Sequence, residues 1–115
     1  MKAVDWHAVC AETDLEETGA YGFSVGEGDW PLRAFVVRQE TSVFAYENVC
    51  PHAGRPLNWK PHGFLTRDRR TIMCTAHGAM FDIASGECVA GPCPGRALRR
   101  VDVRVVEGQV QVRRA

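Results

Sequence analysis

The chain has 115 residues, with 14 basic and 14 acidic side chains and a formal net charge of zero. This length predicts one small domain, residues 1–115, and the balanced charge argues against a nucleic-acid or anionic-membrane partner. No apolar run approaches the ~20 residues of a membrane-spanning helix, and residues 1–7 lack the apolar stretch of a signal peptide, so a cytoplasmic location is expected.

The first half of the chain contains three short segments whose apolar residues cluster or alternate as they do in strands. These segments are residues 23–25, 32–38 and 42–46. Residues 39–41 predict a turn between the second and third segments. No stretch carries a helical stripe, although residues 14–17 favour one helical turn. His7 and Cys10 lie near an end that we expect to be mobile, and they predict no metal site.

The second half predicts two hairpins and a final pair of strands. The segments, in order, are 64–66 with 71–73, 81–83 with 88–89, and 101–105 with 110–112. The first hairpin turns through four charged residues and leads into Cys74. The last pair turns at Glu107 and Gly108. Together the segments predict a nearly all-β chain.

Two pairs of a cysteine and a histidine stand in short loops, Cys50-Pro51-His52 and Cys74-Thr75-Ala76-His77. Two thiolates and two imidazoles suit a zinc ion as well as an iron–sulfur cluster. Zinc fingers usually place two cysteines together and two histidines together, whereas each loop here mixes the two types. The mixture favours iron–sulfur, with structural zinc and two unrelated buried cysteines as the alternatives.

Three segments of the chain resemble the loops of the Rieske family, whose [2Fe-2S] cluster has two cysteines on one iron and two histidines on the other. They are residues 48–54, 74–82 and the proline-containing 86–92. The resemblance implies one cluster per chain, with Cys50 and Cys74 on the buried iron and His52 and His77 on the outer iron.

The same resemblance implies an all-β fold. Its base would be an antiparallel β-sandwich or partial barrel. A cluster-binding subdomain of about residues 48–94 would be inserted into that base.

The chain departs from the high-potential branch of the family at four positions. Respiratory-type Rieske proteins carry an extra cysteine in each ligand loop, and the two form a disulfide; Arg55 and Ala76 stand at the matching positions. In those proteins a serine and a tyrosine after the second histidine donate hydrogen bonds to sulfur. This chain has Ala79 and Phe81 at the two matching positions. Fewer such bonds leave the reduced state less stabilised. Rieske centres as a whole span reduction potentials of about −150 to +300 mV, and we predict a potential in the lower part of that range.

Three cysteines remain outside the predicted ligand set: Cys10, Cys88 and Cys93. A reducing cytosol disfavours structural disulfides, so we expect packed or loop thiols, and whether Cys88 and Cys93 pair stays open. Between the ligand loops, Trp59 is expected to pack its loop and His62 to be a solvated turn residue.

The resemblance implies a one-electron carrier and not an enzyme. The electron donor would be a flavin-dependent reductase, and the acceptor an oxygenase or similar terminal enzyme. A small Rieske subunit of a larger reductase, as in nitrite reductase small-subunit relatives, and a non-redox zinc module are the alternatives. Only His7 and His62 remain beyond the predicted ligands. They lie far apart in sequence and no catalytic domain follows them, so the 2-His-1-carboxylate iron of an oxygenase is not expected.

Basic residues gather in and just after the predicted cluster-binding segment. They are Arg55, Lys60, Arg67, Arg69, Arg70, Arg96, Arg99 and Arg100. They form either a solvated edge or a docking surface for an acidic partner, because charge complementarity speeds transient encounters.

Overall fold

The computed structural model describes residues 6–25, 32–50, 56–58, 62–74, 78–91 and 95–113, without the side chains of Glu17 and Thr18. Within these residues there are nine strands and one short helix. In chain order they are β1 (His7–Ala11), α1 (Glu12–Thr18), β2 (Ala20–Val25), β3 (Leu32–Gln39), β4 (Ser42–Glu47), β5 (Thr71–Met73), β6 (Met80–Asp82), β7 (Cys88–Ala90), β8 (Asp102–Val106) and β9 (Gln109–Arg113). The predicted all-β fold class is confirmed.

The strands form three antiparallel sheets, with the orders β1-β9-β8, β2-β3-β4 and β5-β6-β7. The third sheet lies in sequence between β4 and β8. After it the chain returns to the base, where Tyr46 pairs with Arg100 and the Val101 N–H donates to the Ala45 carbonyl oxygen at 2.9 Å. The sheet of β5 to β7 is therefore an insertion between two strands of the base. The boundary of the subdomain at about 48–94 stays a prediction.

Strand β3 is buried on both faces. Its successive side chains point to opposite sides of the sheet, and each side is covered by another layer. Ala34 and Val36 point into a core shared with the sheet β1-β9-β8, here called the base core. Phe35 and Val37 point into a second core shared with the inserted sheet, here called the site core. The sheet β2-β3-β4 is thus the middle of three layers.

Helix α1 is short and its two ends are fixed by hydrogen bonds. The Asp14 carboxylate accepts the Ala11 backbone N–H at 2.9 Å, as an acidic residue does in the first turn of a helix. Gly19 ends the helix with φ of 78°, and its N–H donates to the Leu15 carbonyl oxygen. The helical turn predicted at residues 14–17 is confirmed. Helix α1 has seven residues, and no helix among the described residues is long and apolar enough to cross a membrane.

Two predictions about local order need correction. The prediction of a mobile N-terminal end is wrong from His7 onward, because β1 pairs with β9 and Cys10 is buried in the base core. Residues 64–66 pair with β5 as predicted, but through a single bridge between Leu65 and Ile72. The other predicted strands are confirmed within a few residues of their ends.

Candidate metal centre

The first predicted ligand loop begins where β4 ends, and Asn48 ties its start to its end. The Asn48 side-chain oxygen accepts the Leu57 N–H at 2.8 Å, and its side-chain nitrogen donates to the Asn58 side-chain oxygen at 3.0 Å. The Asn48 backbone N–H donates to the Arg33 carbonyl oxygen in the neighbouring strand. One amide therefore closes the loop that carries Cys50, whose side chain is 1% exposed.

The second ligand loop begins where β5 ends and is closed by its own backbone. The Cys74 N–H donates to the Ala79 carbonyl oxygen at 2.8 Å, and the Gly78 N–H donates to the Cys74 carbonyl oxygen at 3.0 Å. Gly78 adopts a φ of 72°, which favours glycine over residues with a Cβ. The turn returns the chain to β6 and leaves Cys74 fully buried.

The third loop follows β7 and packs directly on the second. A Cβ on Gly91 would come within 2.6 Å of the Ala79 Cα, and the φ of Gly91 is 94°. Only glycine allows both this approach and this conformation. The two loops are therefore in close backbone contact beside Cys74, the arrangement that the resemblance implies for a covering loop.

The structure brings Cys50 and Cys74 into the same core, whereas His52 and His77 lie outside the described residues. No disulfide joins any two of the described cysteines. The described residues alone contain no group of three or more potential metal-binding side chains, as expected when two of four predicted ligands are not among them. Two buried thiols in neighbouring loops, both reached from strand ends, fit the sulfur half of a two-sulfur, two-nitrogen site.

The buried surroundings of Cys74 offer no hydroxyl at the two positions singled out in the sequence. Ala79 and Phe81 are both fully buried, and neither side chain can donate a hydrogen bond. Tyr46 brings a buried hydroxyl into the same core, and it donates to the Ile83 carbonyl oxygen at 2.6 Å. Burial raises the pKa of Tyr46; Arg100 opposes this, and Asp82 adds to it. Tyr46 therefore stays protonated and joins the middle sheet to the turn after β6.

His62 is not the solvated turn residue that the sequence predicted. Its ring stacks on Tyr21 with centroids 4.3 Å apart, and its Nδ1 accepts the Gly22 N–H at 3.0 Å. The side chain is half-buried and fastens the end of the connection between the ligand loops to β2. The prediction of a solvated side chain is therefore wrong. Trp59 lies outside the described residues.

Of the three remaining cysteines the structure describes Cys10 and Cys88, and Cys88 packs against the site core. Cys10 lies in the base core, where burial, with a smaller contribution from Asp14, raises the pKa of its thiol to about 11. Cys88 is half-buried, and its Sγ lies 3.3 Å from the Ala90 carbonyl oxygen. Cys93 lies outside the described residues, so a pairing with Cys88 is not tested.

Comparison with protein families finds a match to the Rieske [2Fe-2S] domain over residues 5–110. Over 111 residues the chain is 31% identical to the ferredoxin component of the alkene monooxygenase system of Xanthobacter autotrophicus, covering 95% of this chain and 81% of that protein. Over 106 residues it is 31% identical to human apoptosis-inducing factor 3, covering 92% of this chain but only 16% of that protein.

Solved structures share the fold over nearly the whole chain. The ferredoxin of carbazole 1,9a-dioxygenase from Nocardioides aromaticivorans has a TM-score of 0.73 at 28% identity, with 96% of this chain and 98% of that chain covered. A chain in the complex of reduced oxygenase and oxidised ferredoxin of carbazole 1,9a-dioxygenase has a TM-score of 0.70 at 27% identity, with 92% and 99% covered. A small subunit assigned to an NADH-dependent nitrite reductase of Mycobacterium tuberculosis has a TM-score of 0.68, with 99% and 98% covered, but its 24% identity shows the fold alone.

Proposed function

Because the chain belongs to the Rieske [2Fe-2S] domain family and binds one such cluster, we propose that it is a one-electron carrier that supplies an oxygenase or a similar terminal enzyme. We propose Cys50, His52, Cys74 and His77 as its ligands. The observation that carries the proposal is the burial of Cys50 and Cys74 in one core, at the ends of two strands that deliver the two ligand loops.

In this proposal the chain's own residues position the ligands and exclude water. Asn48 holds the first loop closed, and the bonds around Cys74 and Gly78 hold the second. The bound group supplies a reversible one-electron redox couple, and two neutral imidazoles in place of two thiolates make that couple easier to reduce than an all-cysteine one. The buried thiolates face the core, and the histidine side would provide the path for the electron to a partner.

The similarity to ferredoxins of oxygenase systems supports an oxygenase as acceptor. We further propose a flavin-dependent reductase as donor, a cytoplasmic location and no substrate turnover by the chain itself. A lasting subunit of a larger reductase would bury a large interface, whereas a carrier uses a small one. Size-exclusion chromatography with candidate partners separates the two, since only the subunit co-elutes at low protein concentration.

The test of the proposal is optical absorption with electron paramagnetic resonance before and after one-electron reduction. Nitrogen ligation of one iron is expected to give a rhombic signal in the reduced protein and a visible absorption that bleaches on reduction. His52→Ala and His77→Ala should remove the signal, and His7→Ala serves as the control because His7 is exposed on β1. A colourless protein that carries zinc, or a signal that survives both ligand substitutions, would contradict the proposal.

A further inference from the structure

The zero net charge hides a strong segregation of charge along the chain. Residues 48–100 contain eight Lys and Arg against three Asp and Glu, a surplus of five positive charges. The remaining residues contain six against eleven, a surplus of five negative charges. A bound cluster in the oxidised state leaves this balance unchanged, since two thiolates offset the charge of its two ferric and two sulfide ions.

The few acidic groups of the segment are largely held by bonds within it. The Asp68 carboxylate accepts the Thr66 hydroxyl at 2.6 Å and the Arg70 N–H at 3.1 Å. These two bonds lower the pKa of Asp68. The Asp82 carboxylate accepts both the backbone N–H and the hydroxyl of Ser85 at 2.9 Å. Asp68 and Asp82 are therefore satisfied locally instead of by the arginines of the surface.

Two exposed arginines represent the unneutralised charge of this segment. Arg67 and Arg99 are both exposed, and neither guanidinium forms an ion pair with a described residue. Arg67 shares an open depression of about 440 Å³ with Met80. Arg99 lies beside β4, where its carbonyl oxygen accepts the Glu47 N–H at 2.9 Å.

Both positions are connected to a predicted ligand loop through their neighbours. Met80 pairs with Met73, the residue before Cys74. Glu47 stands three residues before Cys50, a span of at most about 11 Å. Charges at such distances act on a docking partner, because the screening length is about 10 Å at 0.1 M salt.

The outer face of the inserted sheet, next to Arg67, is apolar in part. On the outer face of the inserted sheet, Met73 and Met80 are half-exposed, and Val89 on β7 is 62% exposed. The opposite face carries the buried Ile72 and Phe81. Flexible methionine side chains adapt to a partner surface, and a small apolar patch with a charged rim is typical of transient interfaces.

We propose that Arg67, Arg99 and the methionine face of the inserted sheet belong to a basic docking surface for a redox protein whose electron-exchange site is rimmed by Asp and Glu. This rests on the proposed function as a carrier. In the encounter one electron leaves the reduced protein and one enters the partner, and no bond is made or broken. The surplus of negative charge belongs to the rest of the chain, and such a separation of charge also orients the approach of a partner.

Small redox reagents test the surface without a known partner. The stoichiometrically reduced protein is mixed with ferric EDTA, an anion, and separately with hexaammineruthenium(III), a cation, from about 0.01 to 1 M salt. We expect the rate with the anion to fall roughly tenfold and the rate with the cation to rise, at the lower end of the range for electrostatic steering. In Arg67→Gln/Arg99→Gln both dependences should flatten markedly.

The control variant changes the net charge equally on the base. Thr13→Glu/Gln109→Glu also makes the protein more negative by two charges, at exposed positions of α1 and β9. We expect it to keep most of the salt dependence and to stay bound to a carboxymethyl resin at the salt concentration that elutes Arg67→Gln/Arg99→Gln. Equal behaviour of the two variants in either measurement would overturn the surface.

The outcomes separate this inference from the function on which it rests. Salt-independent electron exchange with both reagents would overturn the docking surface and leave the carrier intact. No electron exchange with either reagent would overturn the proposed function as an electron carrier. The elution of the two variants from the carboxymethyl resin would then test the basic surface by itself. Tighter retention on duplex DNA than on the carboxymethyl resin would overturn a protein partner.

Discussion

Asn48 makes two side-chain hydrogen bonds across the first ligand loop, and its removal should loosen the site more than the fold. Asn48→Ala deprives the Leu57 N–H of its acceptor, a cost of about 1–3 kcal/mol in the free energy of unfolding. We expect faster loss of visible absorption in the presence of an iron chelator. Asn58→Ala removes the bond at 3.0 Å but leaves the Leu57 N–H its Asn48 acceptor, and it is the control. Equal rates of cluster loss in the two variants would contradict the role of the Leu57 bond.

The resemblance predicts that a hydrogen-bond donor at position 81 would stabilise the reduced state. Phe81→Tyr adds a hydroxyl in a fully buried position, and we expect the reduction potential to rise. One net hydrogen bond of about 0.5–1.5 kcal/mol corresponds to roughly 20–65 mV for one electron. Protein-film voltammetry measures the shift, with Phe81→Leu as the control without a hydroxyl. A potential equal to that of the control would show that the hydroxyl does not reach the sulfurs.

Two buried acids make the folded state sensitive to alkaline pH. Burial raises the pKa of Cys10 from 9.0 to about 11 and raises that of Tyr46. A group whose pKa is higher in the folded state than in the unfolded state stabilises the folded state. This stability is fully present below the pKa of the unfolded state and is lost as pH rises through the pKa of the folded state. For Cys10 this loss amounts to about 2–3 kcal/mol between pH 9 and 11.

Cys10→Ala should therefore lose less stability than the parent between pH 8 and 10.5. Guanidinium unfolding followed by circular dichroism measures the difference, with Cys88→Ala as the control for removal of another thiol. If Cys10→Ala and the parent lose equal stability over this interval, Cys10 is not the titrating group.

Some residues of the predicted site can be recognised in the sequence, and others become apparent only in the folded chain. Cys50 and Cys74 are recognisable from local motif spacing, and the structure places both in one core. Asn48 and Tyr46 are not recognisable, because their partners lie 9 and 37 residues away and the bonds exist only in the folded chain. For Tyr46, a tyrosine within an apolar strand was the available signal, since a buried hydroxyl needs an acceptor.

Strands behave in the same way at the next scale. The apolar cluster within residues 32–38 predicts β3, and the structure shows that this strand is buried on both faces. The pattern does not reveal which two layers cover it. Strand β1 was missed because it alternates weakly and depends on pairing with β9, about 100 residues away. Pairings at such separation follow from tertiary packing and not from local propensity.

The contact of the third loop with the second offers a test at the scale of elements. Gly91→Ala places a Cβ 2.6 Å from the Ala79 Cα, so one of the two loops must move. Gly95→Ala is the matched control, with φ of 82° but no atom within 4 Å of the new Cβ. We expect both to cost the backbone strain of about 1 kcal/mol, and Gly91→Ala alone to speed cluster loss in a chelator. Similar cluster loss in both would mean that the close approach does not protect the site.

At the scale of the molecule, the middle sheet separates two cores that depend differently on a bound group. The base core is closed by the sheets β1-β9-β8 and β2-β3-β4 and contains no predicted ligand. The site core contains both predicted ligand cysteines and packs the inserted sheet against the middle one. That sheet has strands of three residues each, too short to persist alone.

Removal of the cluster should therefore unfold the molecule in part. Metal binding contributes folding free energy where the unfolded chain holds no preformed site, and here that contribution acts on the site core. In hydrogen exchange of the protein before and after iron removal, we expect the amides of β5, β6 and β7 to lose protection by at least about a hundredfold, equivalent to about 2.7 kcal/mol. Amides of β1, β9 and the base-facing residues of β3 should keep most of theirs. Uniform loss across both cores would show one cooperative unit and would contradict the inserted subdomain as a separate folding element.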